Sequence, residues 1–168
     1  GNAGDDTLNG GAGDDRLVGG TGNDNYLFAL GDGLDVIENQ GATSDHDSIV
    51  FGAGILSDNV TVRRSGNDLV IVINEGVDEV IVRNHFLNAG SAIDSVVFND
   101  AASSIASWDA QMLADLALQA TDGNDELHGD NLDNSIDGLA GDDLLFGHAG
   151  NDALSGGAGN DQLQGNDG

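Results

Sequence analysis

The chain has 168 residues, with 30 acidic side chains against four arginines, no lysine, cysteine or proline, 27 glycines and a formal charge of −26. Without cysteine there is neither a disulfide nor a thiolate metal site, and such a polyanion argues against nucleic acid or an anionic membrane as partner, leaving cations as the natural counterpart. Abundant glycine without proline favours small repeat blocks over one ordinary domain.

The chain opens with three lines of nine in strict register: GNAGDDTLN (1–9), GGAGDDRLV (10–18) and GGTGNDNYL (19–27). Their sixth places hold Asp6, Asp15 and Asp24, and their eighth places Leu8, Leu17 and Tyr26. Phe28 and Ala29 then lengthen the strand before a looser turn over 30–35 that ends at Asp35, with Ile37 pointing inward. A degenerate turn over 42–47 follows, ending at Asp47, with Ile49 inward.

From about Gly52 the nonapeptide disappears. Residues 60–64, 69–74 and 80–87 read as β-branched strands separated by SGND and EGVDE turns, an antiparallel meander. The run LVIVI is apolar on both faces and predicts a covered central strand, whereas Arg63, Arg64 and Arg83 are expected at an edge or in solvent. A further strand is expected over 93–98. Ser104 or Ser107 is expected to cap a helix in which Ile105, Trp108, Met112 and Leu116 recur at steps of three and four.

The second block resumes with ATDGNDELH (120–128) and a degenerate GDNLDNSID (129–137), then GLAGDDLLF, GHAGNDALS and GGAGNDQLQ (138–164) and a stub. Its sixth places are Asp125, Asn134, Asp143, Asp152 and Asp161, and its inward places Leu127, Ile136, Leu145, Leu154 and Leu163. The chain begins and stops inside a repeat, so both natural ends are expected to lie beyond it, in a larger parent protein.

The unit is GGxGxDxUx, with U a large apolar residue. Glycines at its first, second and fourth places let six residues form a tight turn with inward carbonyls, and x-U-x forms a short strand. Carbonyls and the sixth-place carboxylate make an all-oxygen set that suits calcium better than zinc or copper. Stacked strands lie about 4.8 Å apart, roughly twice a calcium–oxygen bond, so an ion fits between turn n and turn n+2. These lines resemble the repeats-in-toxin (RTX) family of calcium-binding parallel β-rolls. The stretches GDGLDVIEN, DHDSIVFGAGI and VVFND resemble the haemolysin-type calcium-binding related domain that follows such repeats.

The expected fold is mainly all-β: a roll block over 1–51, a meander plus helix over 52–119, and a second roll block over 120–168. The candidate calcium ligands are Asp6, Asp15, Asp24, Asp35, Asp47, Asp125, Asn134, Asp143, Asp152 and Asp161. Turns are expected to share ions as Asp6 with Asp24, Asp15 with Asp35, Asp24 with Asp47, Asp125 with Asp143, Asn134 with Asp152, and Asp143 with Asp161, roughly six ions. Asn134, lacking charge, should bind more weakly. Asp5, Asp14 and Asp142, at a fifth place often filled by Asn, are read as turn-shaping or supporting groups ahead of direct ligands. The four histidines show no zinc spacing, and Trp108, Phe86 and Phe98 have the periodicity of a core.

No nucleophile elbow, P-loop or catalytic dyad is legible, so the chain is not expected to be an enzyme. The expected function is a module that folds on calcium outside the cell, where sites of about 10⁻⁴ to 10⁻³ M suffice. The family resemblance implies bacterial export through a type I secretion channel, which passes unfolded chains, and a secreted or cell-surface parent. The alternative is an adhesin or carbohydrate-binding module of an exported protein or polysaccharide-modifying enzyme, with polysaccharide or a cell surface as partner.

Overall fold

The computed structural model of the chain describes residues 1–87 and 89–168. Two compact units divide it, one comprising Gly1–Val62 and Asn67–Ala114, the other Arg63–Gly66 and Asp115–Gly168.

In the first unit, β1 (Thr7–Leu8), β2 (Arg16–Leu17), β3 (Asn25–Phe28), β4 (Leu34–Ile37) and β5 (Ser48–Phe51) alternate between two sheets. Odd strands stack parallel in one ladder and even strands in the other, which is a roll with a turn on each side. Each strand is the tail of one repeat, and its eighth place faces inward: Leu17, Tyr26, Ile37 and Ile49 are 6% exposed or less. With period-2 alternation, the two-residue β2 buries one side chain, and the four-residue β3 and β5 bury two, Phe28 and Phe51 following Tyr26 and Ile49 two residues on.

The two ladders continue past the repeats. β6 (Val60–Ser65), β7 (Asp68–Ile73) and β8 (Asp78–Val82) supply the meander, with β7 antiparallel to β8 and lying between it and β6. β8 also pairs parallel with β4, so it is the next rung of the even ladder. β9 (Ser95–Phe98) pairs parallel with β5 in the odd ladder, and β10 (Ser107–Asp109) closes it antiparallel to β9. Leu69, Val70 and Ile71 of β7 are all buried, as an apolar run covered on both faces requires.

The helix differs from its expected position. α1 spans Ala110–Ala117, and Asp109, whose Oδ1 accepts the Met112 N–H at 2.9 Å, occupies the capping place expected of Ser104 or Ser107. Pairing with β9 holds Ser107–Asp109 extended, so the inward face of the helix shifts: Leu113 and Ala117 are buried while Ile105 and Met112 are exposed. Trp108 instead ends an aromatic column of Phe28, Phe51, Phe98 and Trp108, with successive ring centroids 6.3, 5.5 and 4.7 Å apart. The strand expected over 80–87 ends at Val82, where the Asp68 carboxylate turns the chain by pairing with Arg83 and accepting the Asn84 N–H at 2.8 Å.

The second unit is a roll built from β11 (Glu126–His128), β12 (Ser135–Asp137), β13 (Leu144–Phe146), β14 (Ala153–Ser155) and β15 (Gln162–Gln164). β11, β13 and β15 form one parallel ladder and β12 and β14 the other, with Leu127, Leu145 and Leu163 in register. Leu127, Ile136 and Leu145 are its buried core, with Leu118, Ala120 and Leu154 packed against them. Arg64, expected at an edge, is half-buried here and donates to the carbonyls of His128 and Gly129 at 3.0 and 2.9 Å.

Candidate metal centre

The glycines of the repeat serve two physical ends. Those at the fourth place hold backbone that side chains avoid: φ is 104° at Gly4, 116° at Gly22, 124° at Gly141 and 118° at Gly150. First-place glycines lie outside that region and are small for another reason. A Cβ on Gly138 would collide with Asp143 Oδ2 and lie 2.8 Å from the Gly156 carbonyl oxygen. One on Gly129 would collide with Asn134 Oδ1 and lie 2.7 Å from Gly147 O, and one on Gly1 would collide with both Asp6 Oδ2 and Gly19 O. The missing side chain thus leaves a cradle between a sixth-place oxygen of one turn and a first-place carbonyl of the next turn in the ladder.

The sixth places form a ladder of their own. The Asp6 N–H donates to Asp24 Oδ1 at 2.9 Å, Asp15 N–H to Asp35 Oδ1 at 3.1 Å and Asp24 N–H to Asp47 Oδ1 at 2.8 Å. In the second unit Asp125, Asn134 and Asp143 donate in the same way to Asp143, Asp152 and Asp161 at 2.9, 3.0 and 3.1 Å. Each candidate ligand is therefore brought beside the partner its spacing implies. In Asp24, Asp143 and Asp152 one oxygen fastens the turn below and the other is left over. Asp24, Asp143 and Asp152 each bury an Oδ2 that has no hydrogen-bond partner among the described residues. A buried carboxylate oxygen without a donor costs at least about 1–3 kcal/mol, and the cheapest remedy in an oxygen-lined cradle is a hard cation.

Among the described residues no three His, Cys, Asp or Glu side chains converge as a metal cluster. A cation held here therefore takes main-chain carbonyls beside its carboxylate, an oxygen-rich set that suits calcium better than zinc, which favours nitrogen and sulfur ligands. Electrostatics points the same way. Burial, followed by the charges of Asp47 and Asp6, pushes the Asp24 carboxyl above its ordinary value. Burial, with Asp15, Asp32 and Asp14 adding, pushes Asp35 up to about 6. Stacked acids without a counter-charge resist ionisation.

Fifth-place side chains reach the opposite way along the stack. Asp5 Oδ1 accepts the Asn23 N–H at 2.8 Å, Asp14 Oδ1 the Leu34 N–H at 3.1 Å and Asp142 Oδ1 the Asn160 N–H at 2.8 Å. Asn23 and Asn124 make the equivalent bonds to His46 and Asp142, so an amide serves as well as an acid at this place.

Several residues escaped the sequence reading. Asp94 continues the ladder, its Oδ2 accepting the Asp47 N–H at 2.9 Å. Its signal was present as DSVVF at 94–98 echoing DSIVF at 47–51. On the even ladder Val80 stands in register with Asp35, and Asp78 two residues earlier caps the turn by accepting the Gly31 and Gly33 N–H groups, each at 3.0 Å. Among the described residues the histidines form no cluster of three: His85 Nδ1 accepts the Ile93 N–H at 3.1 Å, and His128 stacks on Phe146 with its Nδ1 3.2 Å from His148 Nε2.

Residues 1–26, 119–154, 128–163 and 147–168 match the RTX calcium-binding nonapeptide repeat, and residues 68–103 match the haemolysin-type calcium binding protein related domain. Over 121 residues, 70% of this chain, the sequence is 40% identical to the iron-regulated protein FrpA of Neisseria meningitidis serogroup C, and the chain spans only 10% of that curated relative's length. The extracellular lipase LipA from Serratia marcescens aligns over 98% of this chain and 26% of the lipase, at 24% identity and a TM-score of 0.44.

Proposed function

This chain belongs to the RTX calcium-binding repeat family, and from that premise we propose that it is a calcium-triggered folding module of an exported bacterial protein. The observation that carries the reading is the buried, partnerless Oδ2 of Asp24, Asp143 and Asp152, together with the cradle that first-place glycines leave open in front of such oxygens. Asp6, Asp15, Asp24, Asn134, Asp143 and Asp152 would supply the side-chain oxygen in each cradle. The Gly19, Gly147 and Gly156 carbonyls would supply main-chain oxygens to those of Asp6, Asn134 and Asp143, and Asp35, Asp125 and Asp161 complete the paired rungs, for roughly six ions in all.

Bound calcium supplies the positive charge that cancels carboxylate repulsion and ties one turn to the next. The residues set the direction of the switch. With the acids uncompensated, a chain of charge −26 repels itself; with the cradles filled, the ladders close and the eighth-place side chains are buried. Because the cradle exists only once turns have stacked, ion binding is folding. Free calcium in the cytosol lies far below the about 10⁻⁴ to 10⁻³ M that extracellular modules need, so the module stays unfolded inside and folds outside, which suits a type I secretion channel. The module itself does no chemistry, and the parent's activity, as enzyme or toxin, lies elsewhere in the parent.

Circular dichroism during a calcium titration, with magnesium as control, tests this. A rise in β signal near about 0.1–1 mM calcium, absent with magnesium, is the expected result. An unchanged spectrum up to about 10 mM calcium refutes the switch.

A further inference from the structure

The odd ladder runs one rung past its last repeat, from the turn of Asp47 to Asp94. The backbone there is that of the repeats: Asp47 Oδ1 accepts the Asp24 N–H at 2.8 Å, and the Asp47 N–H goes to Asp94 Oδ2 at 2.9 Å. What differs is the second oxygen. Asp47 is 2% exposed, as buried as Asp143, yet its Oδ2 accepts a hydrogen bond at 2.7 Å from Nδ2 of Asn39, a residue itself only 2% exposed. The same nitrogen donates to the Ala92 carbonyl at 3.0 Å. It thus joins a sixth-place carboxylate in one layer to a main-chain carbonyl of the next turn, the same two kinds of group that flank the cradle between Asp143 Oδ2 and Gly156 O, although Ala92 stands two residues before its Asp94 and Gly156 five before its Asp161.

We propose that the Asn39 carboxamide stands in for calcium on this rung, so that the Asp47 turn takes no ion. The inference rests on the calcium reading of the other cradles. The orientation of the amide follows from its surroundings: a carboxylate and a carbonyl only accept, so the NH₂ end must face Asp47 and Ala92 and the oxygen must face the other way. There it accepts from the Tyr26 hydroxyl at 3.0 Å, which in turn accepts the Gly19 N–H at 3.1 Å. Tyr26, fully buried at an eighth place otherwise aliphatic apart from it, is the clamp that holds the amide in position.

An amide nitrogen has no lone pair to give a metal, so a cation cannot share the space with it. Two directed N–H groups satisfy two oxygens, where calcium would need six to eight ligands. The turn itself has also changed. Ala42 stands at its first place, where the turns of Asp6 and Asp24 below it have Gly1 and Gly19. Asp45 folds back on the turn, its Oδ2 accepting from Ala42 N–H at 2.8 Å and from Gly22 N–H at 2.9 Å. In the rung below, the N–H of the fourth-place Gly4 is met by a main-chain carbonyl, that of Thr21. The ladder therefore passes from ion-bridged rungs to a hydrogen-bonded one where the repeats give way to the meander.

The test is a crystal of the full chain in calcium, with terbium substituted to give anomalous peaks, beside hydrogen exchange of Asn39→Ala at saturating calcium. The expected map has peaks at the cradles of Asp24 and Asp143 and none within bonding distance of Asp47 Oδ2. Asn39→Ala is expected to speed exchange of the Asp47 and Asp94 amides at least about tenfold while leaving the Asp143 and Asn160 amides unchanged. A peak on Asp47 Oδ2, or unchanged exchange in the variant, overturns the stand-in alone. Should Asn39→Ala not fold, the wild-type map still decides. A map with no peak at any repeat turn overturns the calcium reading and this inference with it.

Discussion

Gly138→Ala separates the ion from its ligands. Gly138 lies outside the positive-φ region, so alanine brings no backbone strain, and every oxygen around the cradle is kept. The added Cβ would collide with Asp143 Oδ2 and sit 2.8 Å from Gly156 O, inside the space between them. For a site with Kd of about 0.1–1 mM, 10 mM calcium contributes RT ln(1 + [Ca]/Kd), about 1.4–2.7 kcal/mol. The variant should lose that much in urea unfolding at 10 mM calcium, only about 0.4–1.4 kcal/mol at 1 mM calcium, and bind one ion fewer by calorimetry. Gly165→Ala is the control, since a Cβ there meets nothing within 4 Å. Equal losses at 1 and 10 mM calcium, or an unchanged ion count, would mean that first-place glycines are small for packing alone.

Asp143→Ala should weaken folding more than Asp6→Ala. The first removes an oxygen bonded to the Asp125 N–H at 2.9 Å and a buried Oδ2 facing a cradle, a charge-assisted bond of about 1.5–3 kcal/mol besides the ion; the half-buried Asp6 carboxylate accepts the exposed Asn2 N–H at 3.2 Å. Equal calcium midpoints by circular dichroism would refute the shared ladder. The raised acids also set the direction of the pH response. Asp35 is raised from 3.8 to about 6 and Asp24 is raised as well, so their contribution to the metal-free fold is fully present below about 4 and lost as pH rises through about 6. In EDTA, acidification from pH 7.5 to 5 should therefore restore some β signal, while in calcium the midpoint should rise as protons compete for the same oxygens. A metal-free spectrum flat across that range, with a pH-independent calcium midpoint, would remove the buried acids from the mechanism.

The repeat blocks were legible because the nonapeptide is local. Turn, carboxylate and inward side chain all fall within nine residues, so the partners Asp6 with Asp24 and Asp143 with Asp161 follow from register, and the structure sets them at hydrogen-bonded rungs. Errors appear where a neighbour distant in sequence overrode a local signal. Ser107 looks like a helix cap beside a three-and-four stripe, but pairing with β9 holds it extended and Asp109 caps instead. The meander reads as strands with turns, yet only the sheets show β8 and β9 as parallel rungs of the same two ladders.

By itself the sequence determined the repeat: the oxygen-rich turn, the alternation of two ladders whose regular rungs lie eighteen residues apart, and the charge of −26 on which the proposed calcium switch rests. Tertiary structure alone decided how the ladders end. Parallel pairing joins segments with no fixed spacing, so Asp94 reaches Asp47 from 47 residues away and Asn39 reaches Asp47 from eight. The echo of DSIVF in DSVVF marks Asp47 and Asp94 as alike, but which strands stack, and so which of these groups meet, is settled by the sheets.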